Sequence, residues 1–319
     1  MSVAAPVSRP SGPTDGEVDP PTSRRPGRKA GRSATTGRTA RLGLMFIAPF
    51  MLVFVIFRII PYVMALIMSF TDWSIRGDVS FVGTSQYTRL LDDPLFWNAL
   101  KTTAVYAVIV VPLTVVISVG TALLVQKMIR GIRIFRALFF LPNITSFVLS
   151  GLIFVWIYSQ DGPFNSALEA FGLPPIPFLQ SELTVLPAIA VLMAWTRFGY
   201  QMLIVLAGLN EVPEELYEAA RVDGANRWQQ FTRITLPLLK PTLFFVVLIE
   251  TVGSFQMFDA VYVMTGGGPV RASYTLVYMI YDQAFKSFDF GYASAVGVVL
   301  LLICLVLALV QQRLLGRES

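Results

Sequence analysis

Five polar side chains stand in two strongly apolar stretches. Arg197, Tyr200 and Gln201 lie in TVLPAIAVLMAWTRFGYQMLIVLAGL, and Ser254 and Gln256 lie in LIETVGSFQMFDAVYV, which also holds Glu250 and Asp259. An aromatic face, two amides and a hydroxyl could do one chemistry together. The ring stacks on a sugar, and fixed donors and acceptors bond its hydroxyls. A charge at the middle of a bilayer costs about 2.5–3.5 kcal/mol on the insertion scale, so each such position demands a reason. Arg197 has two readings. It pairs with Glu250 or Asp259 and locks two spans together, or it meets an anionic group on a solute. Glu250 and Asp259 are too far apart in sequence to share one small site unaided. The expectation is that Tyr200, Gln201, Ser254 and Gln256 line a cavity, with Arg197 beside them.

The elements that position these residues are apolar runs. The chain has 319 residues, of which 55% are hydrophobic and 14% charged, against about 25% charged in a soluble domain. Six runs, near 42–70, 99–126, 134–159, 184–209, 241–264 and 290–312, each exceed the roughly 20 residues a helix needs to cross the hydrocarbon. They lack the alternation of a barrel strand, so helices must satisfy the backbone. Pro49, Pro61, Pro112 and Pro142 read as tolerable kinks. The fold class is therefore all-α, a polytopic membrane protein of six transmembrane helices.

Orientation follows from Lys and Arg. Lys127, Arg130, Arg133 and Arg136 lie between runs two and three, four basic residues lie in 210–240, and Arg313 and Arg317 follow run six. The intervening loops on the other side carry only Arg76, Arg89, Arg271 and Lys286. Both termini and the 210–240 loop are expected in the cytoplasm. Residues 1–41 are rich in Pro, Ser, Thr, Gly and Arg and are expected to be a disordered basic tail touching anionic lipid. They do not fit a cleaved signal peptide. Residues 42–315 form the transmembrane domain and 316–319 a C-terminal tail.

Several chemistries are excluded. There is no histidine and one cysteine, Cys304, inside an apolar run, so imidazole metal sites and an internal disulfide are out. No G-x-x-x-x-G-K-[ST] loop is present, so the chain does not bind ATP in the usual way. The net charge of +5 follows the membrane topology and calls for no nucleic acid.

The longest polar segment between apolar runs is NEVPEELYEAARVDGANRWQQFTRITLPLLKP, from Asn210 to Pro241. Pro213 suits a helix start, and Glu214 and Glu215 complement the positive end of the dipole. Glu218 and Arg221 can pair on one face. Gly224 can stop the helix, and Asp223 can cap a second one running through Trp228 and Phe231. The small Ala219 and Ala220 would let a partner approach closely. Two readings stand: a docking knob, or amphipathic helices lying on headgroups.

Glu218-Ala219-Ala220, then Gly224, then Ile234, Leu236 and Pro237 resemble the EAA signature of the membrane-spanning permease subunits of bacterial ABC importers. The longer ELYEAARVDGANRWQQFTRITLPLLKPTL is similar to the carbohydrate branch, as in maltose and glycerol-3-phosphate systems, and Thr265-Gly266-Gly267-Gly268-Pro269 resembles the TGGGP turn of the larger maltose-type permease. The likeness spans roughly residues 42–315. It implies a type I importer permease fold in a bacterial cytoplasmic membrane. It implies that Glu218, Ala219, Ala220, Asp223 and Gly224 belong to a coupling helix seated on an ATPase. It further implies a second homologous permease, two ATP-binding ATPase subunits and an extracytoplasmic binding protein that delivers a sugar. In that comparison Tyr200 matches a substrate-contacting tyrosine, and Arg197 stands where the family has glycine. The alternatives are an importer of glycerol-3-phosphate or another polar solute, and an ion-driven carrier using Glu250 and Asp259. A membrane enzyme would need a catalytic constellation that the sequence lacks.

Overall fold

The computed structural model describes residues 35–74, 77, 79–126 and 131–315. It separates into two units, residues 1–57 and 58–319. In the first, the described chain is helix α1 (Thr35–Phe54) and the start of a π turn, Val55–Ile59. α1 begins inside the stretch expected to be tail; the rest of that tail, through residue 34, and the C-terminal tail 316–319 lie outside the described residues, as do Lys127 and Arg130.

The second unit opens with α2 (Ile60–Met68) and a two-residue hairpin, β1 (Thr71–Asp72) with β2 (Ser80–Phe81), in which Thr71 faces Phe81. Then come α3 (Ser85–Asp92), α4 (Pro94–Gln126), α5 (Ile132–Ile144), α6 (Phe147–Ile157), α7 (Pro163–Ala170) and α8 (Val185–Asn210). The polar loop supplies α9 (Glu214–Val222), α10 (Arg227–Gln230), a π turn (Phe231–Thr235) and α11 (Leu236–Leu238). α12 (Lys240–Phe255), α13 (Asp259–Met264), α14 (Leu276–Tyr281), a π turn (Asp282–Lys286) and α15 (Phe290–Leu315) complete it.

Among the described residues four stretches, Met45–Met68, Pro94–Gln126, Val185–Asn210 and Phe290–Leu314, are long and apolar enough to cross a membrane; counting each bent pair as one span raises this to 6. The third expected run is not straight, since α5 and α6 meet at 94°; the chain also bends by 69° between Arg227–Leu238 and α12, at the entry to the fifth run. At the first bend Pro142 removes one backbone donor, and the Thr145 hydroxyl donates to the Leu141 carbonyl at 3.0 Å, competing with the helix ladder. The fifth run, expected to continue through residue 264, stops at Phe255. The N–H groups of Gln256 and Met257 bond back to Gly253 and Ser254, a tightened end, and Asp259 opens α13 where its charge suits the helix dipole.

α8 is the central strut. Of its apolar window 67% is buried, against 28% for α4 and for α15. Its small residues explain how neighbours come so close, since packing in lipid relies on near approach of backbones. A Cβ on Gly199 would collide with the Phe139 carbonyl of α5, and one on Gly208 with the Thr242 hydroxyl of α12. Ser118 of α4 lies 2.6 Å from the Thr114 carbonyl and 3.2 Å from the Phe198 carbonyl of α8, pinning the two helices. The Thr265–Pro269 turn is closed by hydrogen bonds: the Ser273 hydroxyl donates to the Gly268 carbonyl at 2.5 Å and lies 2.7 Å from Thr265 Oγ1.

Candidate functional site

Both breaks open onto one cavity of about 190 Å³. Pro142, Asn143, Thr145 and Phe147 line it from the α5–α6 bend, Met193, Thr196 and Arg197 from α8, and Gln256 through Ala260 from the α12–α13 break. Polar groups sit beside two aromatic rings, Phe147 and Phe258, a mixture suited to a sugar's hydroxyls and ring faces.

Arg197 and Gln256 line this cavity. The other three positions do not line it. Tyr200 is half-exposed, one helical turn further along α8. Gln201 and Ser254 are buried inside the bundle; the Ser254 hydroxyl donates to the Thr251 carbonyl at 2.7 Å. α8 is surrounded on most sides, so residue type did not reveal which polar side chain faces the opening. Asn143, Thr145 and Phe258 went unrecognised. The run Asn143-Ile144-Thr145-Ser146 behind Pro142 was the signal for the first two.

Of the two partners open to Arg197, the structure selects Glu250. Arg197 Nη1 is 3.7 Å from Glu250 Oε2, with side chains 31% and 1% exposed. Gln201 Nε2 donates to Glu250 Oε1 at 2.6 Å. The helical spacing explains the clamp: Arg197 and Gln201, four apart on α8, both face α12. Gly253, three residues after Glu250, leaves the guanidinium room; a Cβ there would sit 2.7 Å from Arg197 Nη1. Tyr106 of α4 is fully buried nearby, its hydroxyl without a hydrogen-bond partner among the described residues.

In the polar loop, Gly224 has φ +78 and open space about it. The Ala225 N–H bonds the Ala220 carbonyl at 2.8 Å and the Gly224 N–H bonds that of Arg221 at 3.1 Å, the paired bonds of a Schellman stop. Glu218 lies 3.7 Å from Arg221. Asp223 is not the cap of the second helix. Asn226 is: it accepts from the Gln229 N–H at 2.9 Å, and the Gln229 side chain accepts from the Asn226 N–H at 2.8 Å, a full capping box. Tyr217 Oη, 2.9 Å from Thr235 Oγ1, ties α9 back to the π turn that follows α10. The loop presents Leu216, Val222 and Trp228 outward with Glu218, Ala219, Asp223 and Gly224.

Similar proteins place this architecture. The permease proteins of the arabinooligosaccharide transport system of Bacillus subtilis (AraP) and the lactose transport system of Rhizobium radiobacter (LacF) are 37% and 34% identical to it. They align over 85% and 84% of this chain and 88% and 92% of their own. A solved bacterial ABC transporter that imports the acidic polysaccharide alginate contains a chain of the same fold, with TM-score 0.78, 23% identity, 89% of this chain and 98% of that chain covered. The fold is thus that of a type I ABC importer permease, a multi-pass membrane subunit without enzymatic activity of its own. The family described as binding-protein-dependent transport system inner membrane component matches residues 130–318, and the chain belongs to that family.

Proposed function

We propose that this chain forms half of the translocation path of an ABC importer for a di- or oligosaccharide, and that the solute passes along the cavity at the two helix breaks. The observation that carries the reading is the cavity's composition. Arg197, Asn143 and Gln256 supply hydrogen-bonding groups beside Phe258, and broken backbone in a membrane is tolerated where it lines a cavity. A volume of about 190 Å³ is less than a closed small-molecule pocket, which suits a half-site completed by a second homologous permease. The relatives named for arabinooligosaccharides and lactose support a sugar as cargo.

In this reading residues 210–240 form the coupling loop. Glu218, Ala219, Ala220, Asp223 and Gly224 meet one of two cytoplasmic ATPases, which supply the ATP chemistry. Both termini face the cytoplasm, and an extracytoplasmic binding protein presents the sugar on the other side. Two helix breaks give the wall its means of alternating access: hinge-like bends absorb the change when ATPase closure moves the coupling loop. Tyr200, Gln201 and Ser254 then act from outside the cavity wall, Gln201 by holding Glu250. The test is reconstitution of the chain with partner permease, ATPase and binding protein in proteoliposomes. Binding-protein-dependent ATP hydrolysis and uptake are measured across arabino-oligosaccharides, lactose and maltose. Stimulated uptake of at least one is expected; assembly with no saccharide response would overturn the proposal.

A further inference from the structure

We propose that Glu250 sets the charge selectivity of the cavity: by neutralising Arg197 from behind, it tunes the wall to uncharged saccharides against acidic ones. This rests on the cavity being the saccharide site. Among the described residues three charged groups act on it. Arg197 reaches the opening with 31% of its side chain exposed, Glu250 lies 3.7 Å behind it and is 1% exposed, and Asp259 stands on the cavity wall. The sum is one positive and two negative charges, so a carboxylate on the solute meets a net negative wall. A neutral sugar instead meets a guanidinium whose charge is balanced while its outward N–H groups still donate.

The arrangement is built, not incidental. Gln201 holds Glu250 Oε1 at 2.6 Å, which fixes the other carboxylate oxygen toward Arg197. Gly253 keeps the guanidinium against α12, since any side chain there would displace it. Among the described residues Glu250 Oε2 has no hydrogen-bond partner, and the Arg197 guanidinium charge 3.7 Å away compensates it. Arg197 is thereby the group that touches solute, and Glu250 a positioning and charge-balancing residue that does not. Like-charge juxtaposition in a desolvated site weighs heavily in discrimination.

The test measures equilibrium binding of two probes to the assembled permease–ATPase complex. One is maltotriose; the other is its counterpart oxidised at C6 to the uronate. Wild type is expected to favour the neutral probe. Glu250→Gln removes the balancing charge and is expected to shift the acidic-to-neutral affinity ratio toward the uronate by roughly tenfold or more. Asp259→Asn, at an exposed position, removes one negative charge without touching the buried clamp. It is expected to shift the ratio in the same direction and serves where Glu250→Gln does not assemble. The double variant Arg197→Gln/Glu250→Gln is expected to return the ratio to near wild type, which a merely structural role for Glu250 would not do. If both probes bind and neither single variant moves the ratio, the charge-balance inference is overturned while the cavity stands. If neither probe binds to assembled wild-type complex, the cavity is not the saccharide site and both readings fall.

Discussion

Replacing Gly199 by alanine tests the close approach of α5 to α8, the two helices that meet at one side of the cavity. A Cβ at Gly199 would lie 2.9 Å from the Phe139 carbonyl carbon and 2.9 Å from Phe140 Cα, and closer still to the Phe139 carbonyl oxygen. All three are backbone atoms, so no side-chain rotation relieves the contact and α5 must move off α8. Overpacking of this kind costs about 1–3 kcal/mol. Alanine returns about 0.5–1 kcal/mol in helix propensity. The net is a loss of up to about 2.5 kcal/mol, or a fall in Tm of up to about 10 °C on the usual scaling. The control is Gly120→Ala in α4, where no atom lies within 4 Å of the added Cβ; it is expected to be neutral or slightly stabilising. Both are read by thermal unfolding of the detergent-purified protein. Equal melting of the two variants would refute the close approach of α5 to α8 at Gly199.

Three further outcomes are expected. Gly224→Pro cannot adopt φ +78; insertion into the membrane should be unchanged while ATPase co-purification is lost, and full transport by this variant would remove the docking role. Arg197→Leu leaves the buried Glu250 carboxylate short of its compensating charge and is expected to cost about 1–3 kcal/mol in thermal stability. That is less than the roughly 3–5 kcal/mol of a fully buried pair, because the contact is 3.7 Å and Arg197 is 31% exposed; an unaltered Tm would show that the pair holds nothing together. Topology reporters fused after Gly172 and Gly268 should both report the extracytoplasmic side, and a cytoplasmic signal at Gly172 would reverse the proposed orientation.

Much of the architecture was legible because the bilayer simplifies the physics. α8 was placed at 184–209 from apolar length and is found at Val185–Asn210. The polar loop was legible from local chemistry: the positive φ of Gly224 and the Glu218–Arg221 pair follow from a helix stop and a three-residue spacing. The second cap was misassigned because Asp223 and Asn226 both suit an N-cap. Gln229, three residues beyond Asn226, decided between them. The helix breaks at Thr145 and Gln256 were hidden inside apolar averages, where a few hydroxyls and amides do not lower hydropathy enough to show. Which of Arg197, Tyr200 and Gln201 faces the cavity was not legible at all. That depends on how α4, α5 and α12 surround α8, a tertiary fact with no periodic trace in a helix apolar all round.

The central claim is that sugar passes the cavity between the two breaks, and one measurement addresses it directly. Cys304 is the single cysteine, so Cys304→Ala leaves a background in which Gln256→Cys, at an exposed cavity-lining position, is the only thiol in the chain. The rate of its modification by a membrane-permeant maleimide is measured in the reconstituted importer with and without a transported saccharide, under ATP turnover. The expected result is a labelling rate slowed several-fold by the saccharide and unaffected by a sugar the importer does not carry. An unchanged labelling rate in an importer that still takes up the saccharide would place the path elsewhere.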